Sequence, residues 1–521
     1  MRTRAWRLAA RGVAHLHRSV VVTTCGARFP QNASAVEEGA PERPAGLYDG
    51  AAGVGLVLLR WAQLDSSPRH RALAQAVVDG LLESTRASPN NPSLYGGDAG
   101  VAVLLVRAAQ VWKDAVLRDH AHDIALALSD TAWTMPDLLF GPAGTGLALL
   151  AVQRATRDPA LLRGVRRCVA RLAETAVRQS VGVAWRLYAD RDEKPDDGAM
   201  FTGFAHGAAG IIGFLSEAAR AMPADRRARA LLRDAGAWLD AQCRALPRGR
   251  AAWPRSSTDP TLRHHWCHGT QGIALGYLWR YAHTRSPAHL VRAVSAGLHA
   301  WDAVATDDGS RPSELACHCH GLAGALDTFR ALATATGDQR WHQRGRAIVG
   351  RLERLAGPGH DPSALGGDGC GFSTGTAGVV AALMADAGCP VVPSWSLSGL
   401  RDLRELTRPR PARRSRGVVR RLSALVMANP LAFVPSLAAP LEARATIAFL
   451  PRARRTIGAR EAARILRRAE SAPVHVAGHE IEAGTARLFR DYRDQLSSRD
   501  AFDTSALLRR LVGLSWSRAD G

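Results

Sequence analysis

The chain has 521 residues and a formal net charge of +21; 46% of its residues are hydrophobic and only 6% aromatic. That length accommodates one large domain and a smaller one, and a composition led by Ala, Leu, Val, Arg and Gly suits helices punctuated by glycine rather than sheets. Eight cysteines in such a length exclude a disulfide-built scaffold, and the absence of any run of about 18 apolar residues excludes a membrane-spanning helix.

Residues 1–45 read as an N-terminal helical lead-in. They are Arg-containing, with no continuous apolar stretch and no small-residue cleavage pattern, so a signal peptide is not expected and the protein reads as soluble and cytoplasmic. From residue 46 an internal repeat sets in. A Gly-x-x-Gly motif followed by an apolar stretch occurs seven times, beginning at Gly50, Gly97, Gly141, Gly207, Gly269, Gly321 and Gly375. The steps between first glycines are 47, 44, 66, 62, 52 and 54 residues, each long enough for two helices and their connections. The runs after the motifs, such as Val54–Leu59 and Ile211–Leu215, are apolar on nearly every face and predict buried inner helices. Between them, Arg71–Glu83, Leu161–Thr175, Ala228–Ala241 and His289–Ala300 carry apolar residues at three-to-four spacing and predict outer helices. Seven inner and seven outer helices closing on themselves make an all-α, α/α toroid over residues 46–388. The extra length before the fourth and fifth motifs (Gln179–Met200 and Leu246–His265) predicts loops over one mouth of the ring.

Pro390, Pro393 and the Arg/Pro-rich run Arg408–Arg416 mark a linker over 389–416. Residues 417–521 read as a basic, mainly helical appendage, with helices expected at Arg460–Glu470, Ala486–Leu496 and Thr504–Val512. Residues 401–521 hold 24 arginines against 12 acidic residues, over half the net charge of the chain. The whole chain has only two lysines, Lys113 and Lys194, so the arginine bias reads as genome composition. A basic surface suits an acidic peptide or a peripheral contact with anionic lipid. No aromatic-interleaved basic motif or zinc-finger spacing points to nucleic acid.

The chemistry concentrates just before the glycines. Unit five reads His264-His265-Trp266-Cys267-His268-Gly269, unit six reads Cys317-His318-Cys319-His320-Gly321, and unit four reads Ala205-His206-Gly207. Neighbouring inner helices of a toroid start at the same end, so residues before equivalent glycines converge. Cys267 and Cys319 each lie two before the first glycine of their motif, and His320 follows Cys319. Two sulfurs and an imidazole with a fourth position open are the ligand set of a catalytic zinc. Two thiolates make that zinc electron-rich, favouring a reactive bound thiolate. A shift of two residues makes Cys317 and His318 the alternative pair. Cys25, Cys168, Cys243, Cys370 and Cys389 read as small buried hydrophobes, and His268 as lining of the mouth. His206 is placed for general acid/base work, Asp137 for orienting a histidine or shuttling a proton, and Arg263, four before Cys267, for holding a developing anion.

The ordered set of seven Gly-x-x-Gly motifs with Ala-His-Gly-x-x-Gly, Trp-Cys-x-Gly-x-x-Gly and Cys-His-Gly-x-x-Gly resembles the lanthionine synthetase C-like family over about 46–388. The resemblance implies an α/α toroid, a Zn2+ ion held by Cys267, Cys319 and His320, acid/base roles for His206 and Asp137, and a supporting role for Arg263. It implies a substrate class too: precursor peptides whose Ser and Thr have been dehydrated, with Cys thiols added to dehydroalanine or dehydrobutyrine to close (methyl)lanthionine rings. The short stretch before residue 46 leaves no room for a dehydratase domain, so a separate dehydratase is expected as partner. Cys317 and the basic tail depart from the family pattern. The same residues admit addition of glutathione or another small thiol to dehydroamino acids, or a non-catalytic peptide-binding scaffold. An α/α-toroid carbohydrate enzyme needs a carboxylate pair at the mouth, where this sequence offers Cys and His.

Overall fold

The structure, a computed structural model, describes residues 3–23, 26–29, 45–65, 67–85, 91–187, 198–306, 316–357, 365, 369–389 and 391, together with two short strands at 474–476 and 479–481. Seven inner helices follow the seven motifs: α2 (Ala51–Leu64), α4 (Asp98–Trp112), α6 (Pro142–Thr156), α8 (Ala208–Ala221), α10 (Thr270–Thr284), α12 (Leu322–Thr336) and α14 (Thr376–Asp386). Each packs on the next, and α14 packs back on α2, so the ring closes. Six outer helices follow inner ones along the chain: α3 (Pro68–Thr85), α5 (Ala115–Leu128), α7 (Pro159–Glu174), α9 (Arg226–Ala241), α11 (Pro287–Thr306) and α13 (Gln339–Leu355). The expected toroid is therefore present, and the four outer helices expected from periodicity coincide with α3, α7, α9 and α11, the second overrunning α7 by its C-cap Thr175.

The seventh outer position is filled from the other end of the chain. Helix α1 (Arg4–Ser19) packs on α14. Its buried residues Ala5, Leu8, Ala9, Gly12, Val13 and Leu16 form one apolar stripe, which needs a partner face. At Gly12 a side chain would collide with Val380 of α14, so the helices approach closely. Trp6 stacks on Trp61 of α2 at 4.5 Å between ring centroids. The segment read as a lead-in is thus the closing stave of the ring. In sequence it lies about 350 residues from the helix it covers, and no local signal links the two.

Inner and outer helices are joined by a recurring two-residue device. The dipeptides Lys113-Asp114, Arg157-Asp158 and Gly337-Asp338 put a left-handed residue at the end of the inner helix, followed by an aspartate. The left-handed residue ends the helix, and the aspartate side chain accepts N–H bonds from the first turn of the outer one.

The Gly-x-x-Gly motif is explained by space. The first glycines at the starts of α4, α6, α8, α10, α12 and α14 have extended backbone with negative φ, which any residue adopts. At every second glycine, however, a Cβ would overlap the carbonyl oxygen of the residue three before the first glycine: Leu47, Leu94, Leu138, Phe204, Trp266, His318 and Phe372 in turn. All seven of those residues are buried. Gly144→Ala, set against Leu138 and Leu94, is expected to destabilise by at least about 1–3 kcal/mol, as overpacking does. Gly213→Ala in the middle of α8, where the nearest atom to a new Cβ is 3.7 Å away, is expected to stabilise by up to about 1 kcal/mol. Thermal unfolding of the two variants checks both signs.

The two long insertions are built alike. Strands β1 (Val177–Arg178) and β2 (Val183–Ala184) pair, as do β3 (Arg244–Leu246) and β4 (Arg250–Ala252). Each hairpin is followed by a tryptophan whose indole N–H donates to a carbonyl of the preceding outer helix: Trp185 to Leu172 and Trp253 to Leu239, both at 2.8 Å. The insertions also bind each other, through the Phe201–Ser256 bridge and the 2.6 Å bond from Thr202 Oγ1 to the Pro254 carbonyl. Residues 188–197 of the first insertion lie outside the described residues. The 389–416 linker and the three expected tail helices lie outside them too, except for Cys389 and Val391 of the linker. What is described of the tail is one antiparallel pair, Val474–Val476 with His479–Ile481. Among the described residues no helix is long and apolar enough to cross a membrane.

Candidate metal and catalytic site

The inner helices all start at one mouth, and their leading loops are stitched together there by backbone. The residue two before each first glycine donates its N–H to the carbonyl of the equivalent residue in the next unit. The bonds run Tyr48 to Tyr95 (2.8 Å), Tyr95 to Leu139 (3.1 Å), Ala205 to Cys267 (3.0 Å), Cys267 to Cys319 (3.1 Å), Cys319 to Ser373 (2.8 Å) and Ser373 back to Tyr48 (2.6 Å). Among the described residues the belt has one unbonded step, from Leu139 to Ala205. The two cysteines that share this register are thereby joined directly, main chain to main chain.

Their side chains meet as well. The Cys319 thiol hydrogen-bonds Cys267, which holds the Cys267 thiol below its ordinary range; the same bond and burial hold Cys319 well above it. The His320 side chain hydrogen-bonds Cys319, and the Tyr48 hydroxyl donates to Cys319 Sγ at 3.1 Å. Cys319 is 3% exposed and is the hub of the cluster. Two sulfurs and an imidazole thus converge as a donor set suited to zinc. They do so pairwise through Cys319: among the described residues no three His, Cys, Asp or Glu side chains stand as a ready-formed metal-binding group.

The unbonded step of the belt is bridged by side chains. His206 Nδ1 and Asp137 Oδ2 are 2.6 Å apart. Asp137 is fully buried, and its other oxygen accepts from the backbone N–H groups of Phe140 (2.7 Å) and Gly141 (3.1 Å). The carboxylate is therefore fixed on three sides and fixes the imidazole in turn. His206 is one residue beyond Ala205, whose N–H reaches the Cys267 carbonyl, so the pair and the thiols share one mouth. A ladder of rings lines it: Phe140 on His206 (5.8 Å), His206 on His268 (5.4 Å) and His268 on Phe201 (5.2 Å). His268 is mouth lining, as expected.

Other residues divide between mouth and core. His318 holds the register of the buried ring of Leu, Phe and Trp residues, with Trp266 and Phe372 beside it and Nε2 3.5 Å from Asp327. It faces the core, where the alternative ligand pair would need it at the mouth. Cys317 is buried, its sulfur accepting backbone N–H bonds from Cys319 and His320, and burial pushes its thiol up to about 12. His265 is pushed down to about 3 by burial, with His264 and His320 adding to the effect, so its imidazole is neutral. Arg263 has an exposed side chain, and its carbonyl accepts from Thr270 at the start of α10. Among the described contacts none ties its guanidinium to the cysteines or to Asp137. Cys168 and Cys370 are buried in the core, as expected, whereas Cys243 and Cys389 are only partly buried against it; Cys25 lies outside the described residues.

Tyr48, which the sequence reading did not single out, touches the Cys319 sulfur. Its signal was present: it stands two before Gly50, the register of Cys267 and Cys319.

A family model described as lanthionine synthetase C-like protein matches residues 41–387. Among solved structures, nisin cyclase superposes with a TM-score of 0.55 at 14% identity, covering 76% of this chain and 96% of that one. A family 76 glycoside hydrolase, an α-mannanase from Bacteroides thetaiotaomicron, gives a TM-score of 0.44 at 11% identity over 74% of this chain and 96% of that one. No curated protein matches the sequence.

Proposed function

Because the chain belongs to the lanthionine synthetase C-like family, we propose that it is a zinc-dependent cyclase that adds peptide Cys thiols to dehydroalanine or dehydrobutyrine, forming (methyl)lanthionine rings. The observation that carries this reading is the meeting of Cys267, Cys319 and His320 at the mouth that also holds the His206–Asp137 pair. A zinc ion held by the two cysteines and His320 would supply positive charge and an open corner at which an incoming thiol loses its proton near neutral pH.

The remaining chemistry falls to the chain. The new bond forms between sulfur and the β-carbon, and the C=C electron pair moves onto the carbonyl as an enolate. The α-carbon then takes a proton. His206 is the proposed donor. Its Nδ1 is committed to Asp137, so Nε2 is the nitrogen on the far side of the ring from the carboxylate. The Asp137 carboxylate, held against Nδ1, steadies positive charge on the ring. Arg263, exposed on the leading loop of unit five, is the proposed counter-charge for the enolate oxygen. The ring ladder from Phe140 to Phe201 offers a flat, largely apolar wall to a planar dehydroamino acid. A dehydrated precursor peptide, made by a separate dehydratase, is the proposed partner, and the cytoplasm the proposed compartment.

The test is to incubate the purified protein with a dehydrated, Cys-containing peptide, with and without glutathione, and to weigh the products after thiol alkylation. Ring closure leaves the peptide mass unchanged and the thiol closed to alkylation. A glutathione adduct would replace the peptide thiol by a small one in this reading. A peptide recovered fully alkylatable and without adduct contradicts both.

A further inference from the structure

We infer that Tyr48 is a positioning residue for the metal ligand Cys319, its hydroxyl fixing the sulfur and drawing charge from it. The inference rests on the zinc reading above. The hydroxyl donates to Cys319 Sγ at 3.1 Å, across 271 residues of sequence. The contact is built by the belt: Ser373 accepts from Cys319 N and donates its own N–H to the Tyr48 carbonyl at 2.6 Å, so the backbones of units six, seven and one are locked in turn. The next residue, Asp49, pins the same seam by accepting from Thr374 N (3.0 Å) and Thr374 Oγ1 (2.6 Å). The ring of Tyr48 meets Tyr95 edge-on at 6.5 Å between centroids, which limits its freedom to swing away.

An O–H donor on one of two ligand sulfurs removes electron density from that sulfur and orients its lone pairs. Partners of this kind are worth about tenfold to a hundredfold in metal affinity. They act on the ligand and touch no substrate. Tyr48 thereby ties the first unit of the ring to a ligand supplied by the sixth.

The full chain loaded with Co2+ provides the test, read by the sulfur-to-cobalt charge-transfer band and by competition for metal. Tyr48→Phe keeps the ring and removes only the donor. It is expected to move the band to lower energy and to weaken metal binding by about tenfold or more, with the far-ultraviolet circular dichroism of the wild type. Tyr95→Phe, the same change one unit along, is expected to leave the band in place. A Tyr48→Phe protein with wild-type band and affinity overturns the inference while leaving the zinc reading intact; so does an equal shift in Tyr95→Phe. A wild-type chain that takes up neither Co2+ nor Zn2+ overturns both.

Discussion

Asp137→Asn is expected to lower turnover on a dehydrated peptide by about 10²–10⁴-fold while leaving the protein folded. The carboxylate has two duties on two oxygens. One caps the loop, accepting from Phe140 and Gly141, and an amide oxygen can take over that duty. The other holds His206 Nδ1 at 2.6 Å as an acceptor. An amide that keeps its oxygen on the loop turns an N–H toward His206, which then carries its proton on Nε2 and loses its support for a positive charge. Asp137→Ala would also strand the buried N–H of Gly141, at about 1–3 kcal/mol, and free that of Phe140. The Asn variant therefore separates chemistry from stability. Steady-state rates with thermal unfolding measured alongside make the check; an Asn variant at wild-type rate removes the pair from the proposed mechanism.

The second large effect is expected at the hub of the cluster. Cys319→Ala removes the sulfur that touches Cys267, His320 and Tyr48 together. Zinc is expected to be lost, and thiol addition to fall by roughly 10³-fold or more, some 4 kcal/mol of barrier. Cys317→Ala, two residues away in the same loop, is expected to keep its metal and most of its rate. The contrast decides between the two registers that the Cys-His-Cys-His run allowed. Equal losses in both variants would show that the extra thiol takes part.

The repeat made much of this legible. Glycines at fixed offsets mark where inner helices begin, because each second glycine sits against a carbonyl that a Cβ would strike. Once the motifs are aligned, Cys267, Cys319, His320 and His206 fall at one mouth by register alone. Two kinds of information were not legible. One was closure: α1 covers α14 from the opposite end of the chain, and its apolar stripe names no partner. The other was contact between units that share no sequence likeness. Tyr48 has the register of the two cysteines but not their chemistry, and only the fold puts its hydroxyl on Cys319. Asp137 is legible as a residue that orients a histidine, but its 2.6 Å pairing with His206 falls at the one step where the backbone belt is unbonded. For the Cys-His-Cys-His run, spacing favours Cys319 and His320 as the proposed ligands, and His318 stands in the core against Trp266, Phe372 and Asp327.

X-ray absorption at the zinc edge of the purified chain reads the proposed centre most directly. The predicted result is about one zinc per chain, with two sulfur neighbours near about 2.3 Å and nitrogen near about 2.0–2.1 Å, one sulfur being lost from the shell or the metal released in Cys267→Ala. A chain that carries no zinc after growth with zinc supplied, or one whose metal shows only oxygen and nitrogen neighbours, contradicts the proposal that these thiols hold the ion.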